Sequence, residues 1–532
     1  MQALGPHRHE SVRVNSATVG RSARSTPADL LLAAGLPAIA AVSAAGLTVG
    51  FFSWYALVAR APRGGAFLDV SFLACLAVGW IATLGAWHAY AQYFSRRTDV
   101  PYAVALRYDA ISWGLLVPMW AALLTPVGAG ATGRAIAISV ALWGLAKLAV
   151  AVRFNHTVRD VAVTFIVTRI PIIIIAELAA AVIGQRPGTH YAASASNALA
   201  VWGRWDAEHY LNIARMGYSG TEMAFFPLYP VLIRLVGAVT GNQLIAGLLI
   251  SNIASFFGLL FFYKLVEHQY NRHVAQRATF YISIFPTAIF FSAVYTESLF
   301  FALTVASFYY IRERHWVTAG IIGFLASLTR VEGVLLVAPF LIEWAIATFG
   351  NGQSLRTAAS NALRWPIDAF VRPAIGSLLI PCGLLAYMAY LWVLRGDPLY
   401  FSHVQIHWGR HFAAPWVSIA NTLGKIVHAH SPTTIANEGQ ELAFTALMIV
   451  VLLLGIRRLR PSYLVYMALS IIVPMSTSSL MSMPRFALVL FPMFALFGLW
   501  GERANNNNAI VTFSLPLLGL FTVLFADWYW VA

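Results

Sequence analysis

The chain has 532 residues, 59% of them hydrophobic and only 11% charged, with a mean hydropathy of +0.70, against roughly 25% charged residues in an ordinary soluble domain. A soluble enzyme is excluded: apolar stretches of about 20 residues, the length that crosses a hydrocarbon core of roughly 30 Å, recur along the chain and mark a polytopic membrane protein. The 35 Lys and Arg against 21 Asp and Glu are what the cytoplasmic loops of such a protein carry, so no nucleic-acid partner is expected.

Residues 1–29 hold Arg8, Arg13, Arg21 and Arg24 ahead of an apolar run too long for a signal peptide, and read as a cytoplasmic basic tail. Apolar runs bounded by charge or Gly/Pro predict spans at about 30–59, 67–94, 103–127 and 135–152, which make an additional four-helix membrane module over 30–155. The remaining domain, 156–532, opens with a span at 161–183, where Arg169 and Glu177 lie two turns apart and read as an intramembrane pair. The run 226–242 contains Pro227, Pro230 and Arg234. Laying it in the interface puts the basic clusters that follow on the inner side and leaves Arg60, Arg63, Arg134, Arg330 and Arg485 outside, as the positive-inside rule requires. Spans then follow at about 243–263, 276–293, 296–311, 316–329, 333–349, 374–394, 442–456, 462–479, 486–501 and 509–531. The total is about 15 crossings (13–15), with the N-terminus inside and the C-terminus outside. Asn505 to Asn508 read as a turn, and Cys75 and Cys382 have no metal-ligand spacing around them.

This topology creates two long outer loops, 184–242 and 395–441, and brings several charged motifs to helix ends on the same side. The densest is Arg204-Trp205-Asp206-Ala207-Glu208-His209-Tyr210. As a helix it places Asp206, His209 and Tyr210 on one face and turns Glu208 elsewhere; the plainer alternative is an amphipathic interfacial helix. Glu222 precedes the aromatic, proline-kinked run Phe225-Phe226-Pro227-Leu228-Tyr229-Pro230, either lining a lipid entrance or standing as a solvated loop acid. Glu297, in Tyr295-Thr296-Glu297-Ser298, lies close to hydrocarbon, where a charge costs free energy and calls for a role. Arg330 and Glu332 meet at the next outer hairpin and either serve a site or neutralise each other. Arg485 stands at the outer mouth of a span; its planar guanidinium suits a phosphate, and snorkelling from the helix end is the alternative. His403, His407 and His411 run at helical spacing beside Trp408 and Arg410, but no carboxylate accompanies them and a polar interfacial helix is expected in place of a metal site.

Taken together, Arg204 through Tyr210, Ile213-Ala214, Gly217-Tyr218, Ala224 through Pro230, Phe285-Pro286, Tyr295 through Phe300 and Arg485-Phe486 resemble the PIG-V-type mannosyltransferases over residues 160–530. The resemblance implies an all-α, GT-C-type glycosyltransferase fold with amphipathic helices in the first large outer loop of the catalytic part. It also implies a polyprenyl-phosphate sugar donor, mannose as the sugar, an active site on the outer face, and Asp206 as catalytic base. The expected substrate ligands are Arg204, His209, Tyr210, Glu222, Glu297, Arg330, Glu332 and Arg485, with Arg485 or Arg330 on the donor phosphate. Direct displacement by a hydroxyl of a lipid, glycan or protein acceptor requires no cofactor, since fixed cations can hold the phosphate and a divalent metal is not indicated. The protein is expected to lie among the lipids of a prokaryotic plasma membrane. The alternatives are a polytopic transporter or lipid flippase, with Arg169 and Glu177 marking a midplane path, and a noncatalytic membrane partner protein.

Overall fold

A computed structural model describes residues 91–96, 100–105, 129–183, 199–349 and 368–531. The chain divides into two compact units, Met1–Thr125 and Pro126–Ala532. The spans expected at 30–59, 67–94 and 103–127 fall almost wholly outside the described residues. The first helix of the second unit, α1 (Ala129–Phe154), corresponds to the last span assigned to the additional module.

From there the chain is helical throughout, with no β-strand among the described residues. The order is α2 (His156–Val182), α3 (Asp206–Met216), α4 (Leu228–Thr240), α5 (Gln243–Gln269), α6 (Arg272–Ser283), α7 (Glu297–Arg312), α8 (Trp316–Ser327), α9 (Val337–Phe349) and α10 (Asp368–Arg395). The short α11 (Tyr400–His403) leads to α12 (Pro415–Val427), α13 (Pro432–Gly455), α14 (Pro461–Met475), α15 (Met483–Val489), α16 (Phe491–Trp500) and α17 (Ala504–Ala526). Six helices among the described residues are long and apolar enough to cross a bilayer, and a seventh crossing results if α15 and α16 form one bent span. The protein is an integral membrane protein. Its outward surface is apolar where lipid would touch it: Val163, Ile166, Val167, Ile170, Ile174 and Leu178 of α2 are all exposed.

Helix α4 has 13 residues, about 20 Å at 1.5 Å per residue and short of a hydrocarbon core. Two expected spans are not single helices. The run 276–293 is helix α6 followed by irregular backbone and a 3₁₀ turn, Ala288–Phe291. The run 486–501 is the pair α15 and α16, bent by 70°. Non-helical backbone survives at membrane depth only where protein satisfies its polar groups, and Arg169 does this for the first break: its guanidinium donates to the Ser283 carbonyl at 2.6 Å and the Ala288 carbonyl at 2.7 Å. Glu177 accepts instead from the Trp202 indole at 2.9 Å, so the two do not form the expected pair. The asparagines at 505–508 are not a turn but the start of α17. Asn507 accepts from the Tyr281 hydroxyl at 2.8 Å, and Asn506 donates to the Trp500 carbonyl at 3.0 Å.

Elsewhere close packing fixes the bundle. Helices α8 and α10 cross backbone to backbone: a Cβ on Gly320 would lie 2.3 Å from the Gly376 carbonyl oxygen, and one on Gly383 would lie 2.2 Å from that of Phe324. Small residues at such crossings replace the missing hydrophobic drive between helices in lipid. The Arg169 staple gives a direct test. Arg169→Met should lose roughly 3 kcal/mol, the scale of charge-assisted bonds to buried carbonyls, seen as early thermal unfolding in detergent. Glu177→Gln, which still accepts from Trp202, should lose far less; equal losses would indicate an ion pair.

Candidate functional site

The four charged motifs converge. Helix α3 begins at Asp206 after Trp205, whose backbone is held at φ 59° and ψ −126°, a strained conformation for an indole-bearing residue. The Tyr295 turn fixes this entry: the Val294 amide donates to the Trp202 carbonyl at 3.1 Å, and the Tyr295 hydroxyl donates to the Arg204 carbonyl at 3.1 Å. Glu297, the first residue of α7, is fully buried. One of its oxygens accepts from both Arg330 Nη1 at 2.9 Å and Arg485 Nε at 2.7 Å. Arg485 then reaches Asp206 through Nη1 at 2.6 Å, and Arg330 lies 3.5 Å from Glu332. The result is a continuous chain of charges, Glu332, Arg330, Glu297, Arg485 and Asp206, drawn from four distant segments.

Within that chain the groups are unequally placed. Aromatic faces cover both guanidiniums, Arg485 over Phe290 and Tyr295 and Arg330 over Phe300 and Phe486. The Asp206 side chain keeps 26% exposure while that of Glu297 has none, so Asp206 is the more accessible of the two carboxylates. Burial pushes its acidity toward the neutral form, but the Arg485 guanidinium opposes this and wins, with smaller help from His209 and Arg410, holding the carboxyl below its ordinary range.

The other expected ligands divide. His209 stacks on Phe225 with ring centres 4.6 Å apart, and Trp408 meets both rings edge-on at 6.4 and 6.1 Å, making an aromatic wall one turn beyond Asp206. Tyr210 is buried against Tyr229, and its hydroxyl meets that of Thr296 at 3.4 Å. Arg204 is buried with its guanidinium over Trp528 at 5.3 Å. Glu222 caps its own turn, accepting from the Ser219 amide and hydroxyl. The three histidines do not share a helical face, because the chain passes from α11 into a 3₁₀ turn and then a left-handed Gly409. His403 pairs with Asp397, His407 meets the Val404 carbonyl and His411 meets Ser478. No group of three metal-ligating side chains occurs among the described residues.

Two members of the site carry no strong sequence signal. Arg410 donates to the Met481 carbonyl at 2.8 Å, while the segment it belongs to is stitched alongside the turn before α15 by Ala413 to Ser476 and His411 to Ser478. Its Nε is buried without a partner, and it makes no ion pair among the described residues. Glu441 of α13 is buried and accepts from the Ser482 and Met483 amides at 3.0 and 2.8 Å, capping the helix that carries Arg485. A lone acid at the head of an apolar run, 41 residues from the amide it caps, leaves no local spacing to detect.

Residues 152–393 match the Mannosyltransferase (PIG-V) family. Among relatives, the chain is 29% identical over 200 residues to GPI mannosyltransferase 2 of Cryptococcus neoformans var. neoformans, covering 35% of this chain and 46% of that protein. It is 27% identical over 199 residues to human GPI alpha-1,6-mannosyltransferase 2, covering 35% and 40%, and 35% identical over 108 residues to GPI mannosyltransferase 2 of Drosophila pseudoobscura pseudoobscura, covering 18% and 24%. The chain thus spans less than half the length of the curated relatives it matches. Among solved structures, an Archaeoglobus fulgidus oligosaccharyltransferase tethered to an acceptor peptide aligns with a TM-score of 0.32 and 14% identity over 67% of this chain and 54% of that one.

Glu208, turned away from the Arg485 pair, is pushed up to about 7 by burial. A carboxyl whose folded value lies above its unfolded one is charged only at a cost to the fold, and that cost accumulates as pH rises from about 4.5 to about 7. Glu208→Gln should therefore raise the thermal midpoint in detergent at pH 8, with the advantage shrinking toward pH 5. A pH-independent difference would place the carboxyl in solvent.

Proposed function

We propose that this chain, whose residues 152–393 are a mannosyltransferase domain of the PIG-V type, is a membrane glycosyltransferase of GT-C type. It transfers a sugar, mannose by the same likeness, from a polyprenyl-phosphate donor to a hydroxyl of a lipid, glycan or protein acceptor on the outer face of a prokaryotic plasma membrane. The observation that carries the reading is the part-exposed Asp206 carboxylate of that stretch, paired with Arg485 of α15.

Asp206 accepts the proton of the acceptor hydroxyl while the acceptor oxygen bonds to the anomeric carbon. The bond from that carbon to the phosphate oxygen breaks, its electron pair leaves with the polyprenyl phosphate, and the configuration inverts. A carboxylate held below its ordinary range is a weak base. That suits a reaction whose leaving group is already a stable phosphate and whose acceptor proton moves late. The donor phosphate passes from one negative charge to two as the bond breaks, so fixed cations stabilise the departure more than the bound donor. Arg330 and Arg485 are largely neutralised by Glu332, Glu297 and Asp206. Arg410, which makes no ion pair among the described residues, is the cation we assign first to the leaving phosphate, with Arg485 beside it. The His209, Phe225 and Trp408 wall presents ring faces to a sugar; Tyr210, Arg204 and Glu222 support the fold around it.

The transporter reading loses its sequence basis, since Arg169 staples a helix break and Glu177 holds Trp202. The test uses vesicles with equal folded yield of parent and variants, supplied with labelled polyprenyl-phosphate-mannose. Transfer should fall at least a hundredfold in Asp206→Asn, and kcat/KM on the order of 10² in Arg410→Gln. Undiminished transfer by Asp206→Asn would make that residue structural, and no transfer by the parent would remove this donor.

A further inference from the structure

Helix α12, Pro415–Val427, carries its polarity reversed. At about 3.6 residues per turn, Trp416, Ala420, Leu423 and Val427 fall within roughly 60° of one another on one face. That face points away from the protein: Trp416 is 72%, Leu423 45% and Val427 76% exposed, and Ala420 is exposed as well. The four polar side chains of the helix, Ser418, Asn421, Thr422 and Lys425, fall on the opposite face. Ser418 and Thr422 are buried, and the Ser418 hydroxyl donates to the Met475 carbonyl. The Asn421 amide donates to the Ser478 carbonyl at 3.0 Å, and Lys425 pairs with Glu438 of α13 at 2.9 Å. A helix on a water-facing surface does the reverse, turning its apolar stripe to the core and its polar side chains to solvent. Phe412, 92% exposed just ahead of the helix, extends the apolar surface.

The path of the chain indicates what meets that face. Helices α10 and α13 are both long and apolar enough to cross a bilayer. The α-helices between them are α11, of 4 residues, and α12, of 13. Thirteen residues reach about 20 Å, too short for a hydrocarbon core of roughly 30 Å. The end of α10 and the start of α13 therefore lie at the same membrane surface, and α12, tied to α13 and to the end of α14, lies there with them. Its outward face continues into Ile435, exposed in the first turn of α13. We infer that α12 docks its Trp416–Val427 face into the lipid leaflet on this side of the membrane. An apolar helix face sinks roughly 5–10 Å into the boundary between headgroups and acyl chains, tryptophan favours that level, and no charged side chain on the face opposes it. The docked helix seats more than itself. Through Ser418 and Asn421 it holds the backbone at Met475 and Ser478, in the stretch leading to α15 and Arg485, and Trp408 and Arg410 stand a few residues ahead of it. Lipid contact thereby sets the depth of these groups. Their use on a lipid-linked phosphate rests on the function proposed above; the docking does not.

The test uses the full chain carrying Cys75→Ala and Cys382→Ala, reconstituted in vesicles of phosphatidylethanolamine and phosphatidylglycerol. A nitroxide is attached in turn at Trp416→Cys, Ala420→Cys, Leu423→Cys and Val427→Cys, and its collisions with oxygen, which partitions into lipid, are compared with those with a water-soluble nickel chelate. Oxygen should dominate at all four positions. Dominance of the nickel chelate would place the face in water and overturn the docking. Shielding from both reagents would show protein against the face, with dipolar broadening marking a second copy of the chain, and would overturn it equally. Four independent positions guard against a single variant that misfolds. None of them enters the proposed reaction, so a failure of sugar transfer by the parent, or its persistence in Asp206→Asn, leaves the collision result to decide.

Discussion

A carboxylate with no solvent exposure, shared by two arginines, sets the constraint on which the rest of the site depends. Transferring Glu297 alone into an apolar interior costs several kcal/mol even after relaxation, and that cost is offset only while Arg330 and Arg485 both stay in place. Removing the carboxylate would leave two guanidiniums enclosed by Phe300, Phe486, Phe290 and Tyr295. Three helix ends far apart in sequence are thereby locked to one point, and Asp206 is held at the open end of the same chain of charges. A low-dielectric setting strengthens each of these contacts and makes each omission costly.

The site is also assembled where helices break. The irregular backbone after α6, the turn before α9 and the αL turn before α15 all surround it, and protein groups satisfy their free carbonyls and amides. Arg169 serves the first, Leu228 donates to Leu328 at the second, and Glu441 caps the third. Membrane proteins tolerate such breaks only inside protein or around a cavity. Broken helices let side chains at helix ends meet, which continuous spans would have kept apart along the bilayer normal.

Charge in this protein therefore has two distinct uses. Arg169, Glu177 and Glu297 hold structure, as do Asp160, bound by Arg272, Tyr263 and Gln276, and Glu343, held between Arg460 and Ser462. Asp206 and Arg410 are less committed, one through its partial exposure and the other through making no ion pair among the described residues. Reading intramembrane charge as a transport path would have conflated the two.

Composition and spacing by themselves determined a great deal here: an all-helical integral membrane protein, and charges at Asp206, Glu297, Arg330 and Arg485 that the fold brings together. These were legible because each follows from local quantities, the length of an apolar run, or a charge where hydrocarbon makes charge expensive. Tertiary structure decided which charges pair. Arg169 finds carbonyls 114 and 119 residues away in preference to Glu177 in its own helix, the histidines at 403, 407 and 411 part company at Gly409, and Glu441 joins the site from the chain's last quarter. Hydrogen bonds between distant segments depend on where helices bend and how closely they pack, and a periodicity of 3.6 residues carries no information about either.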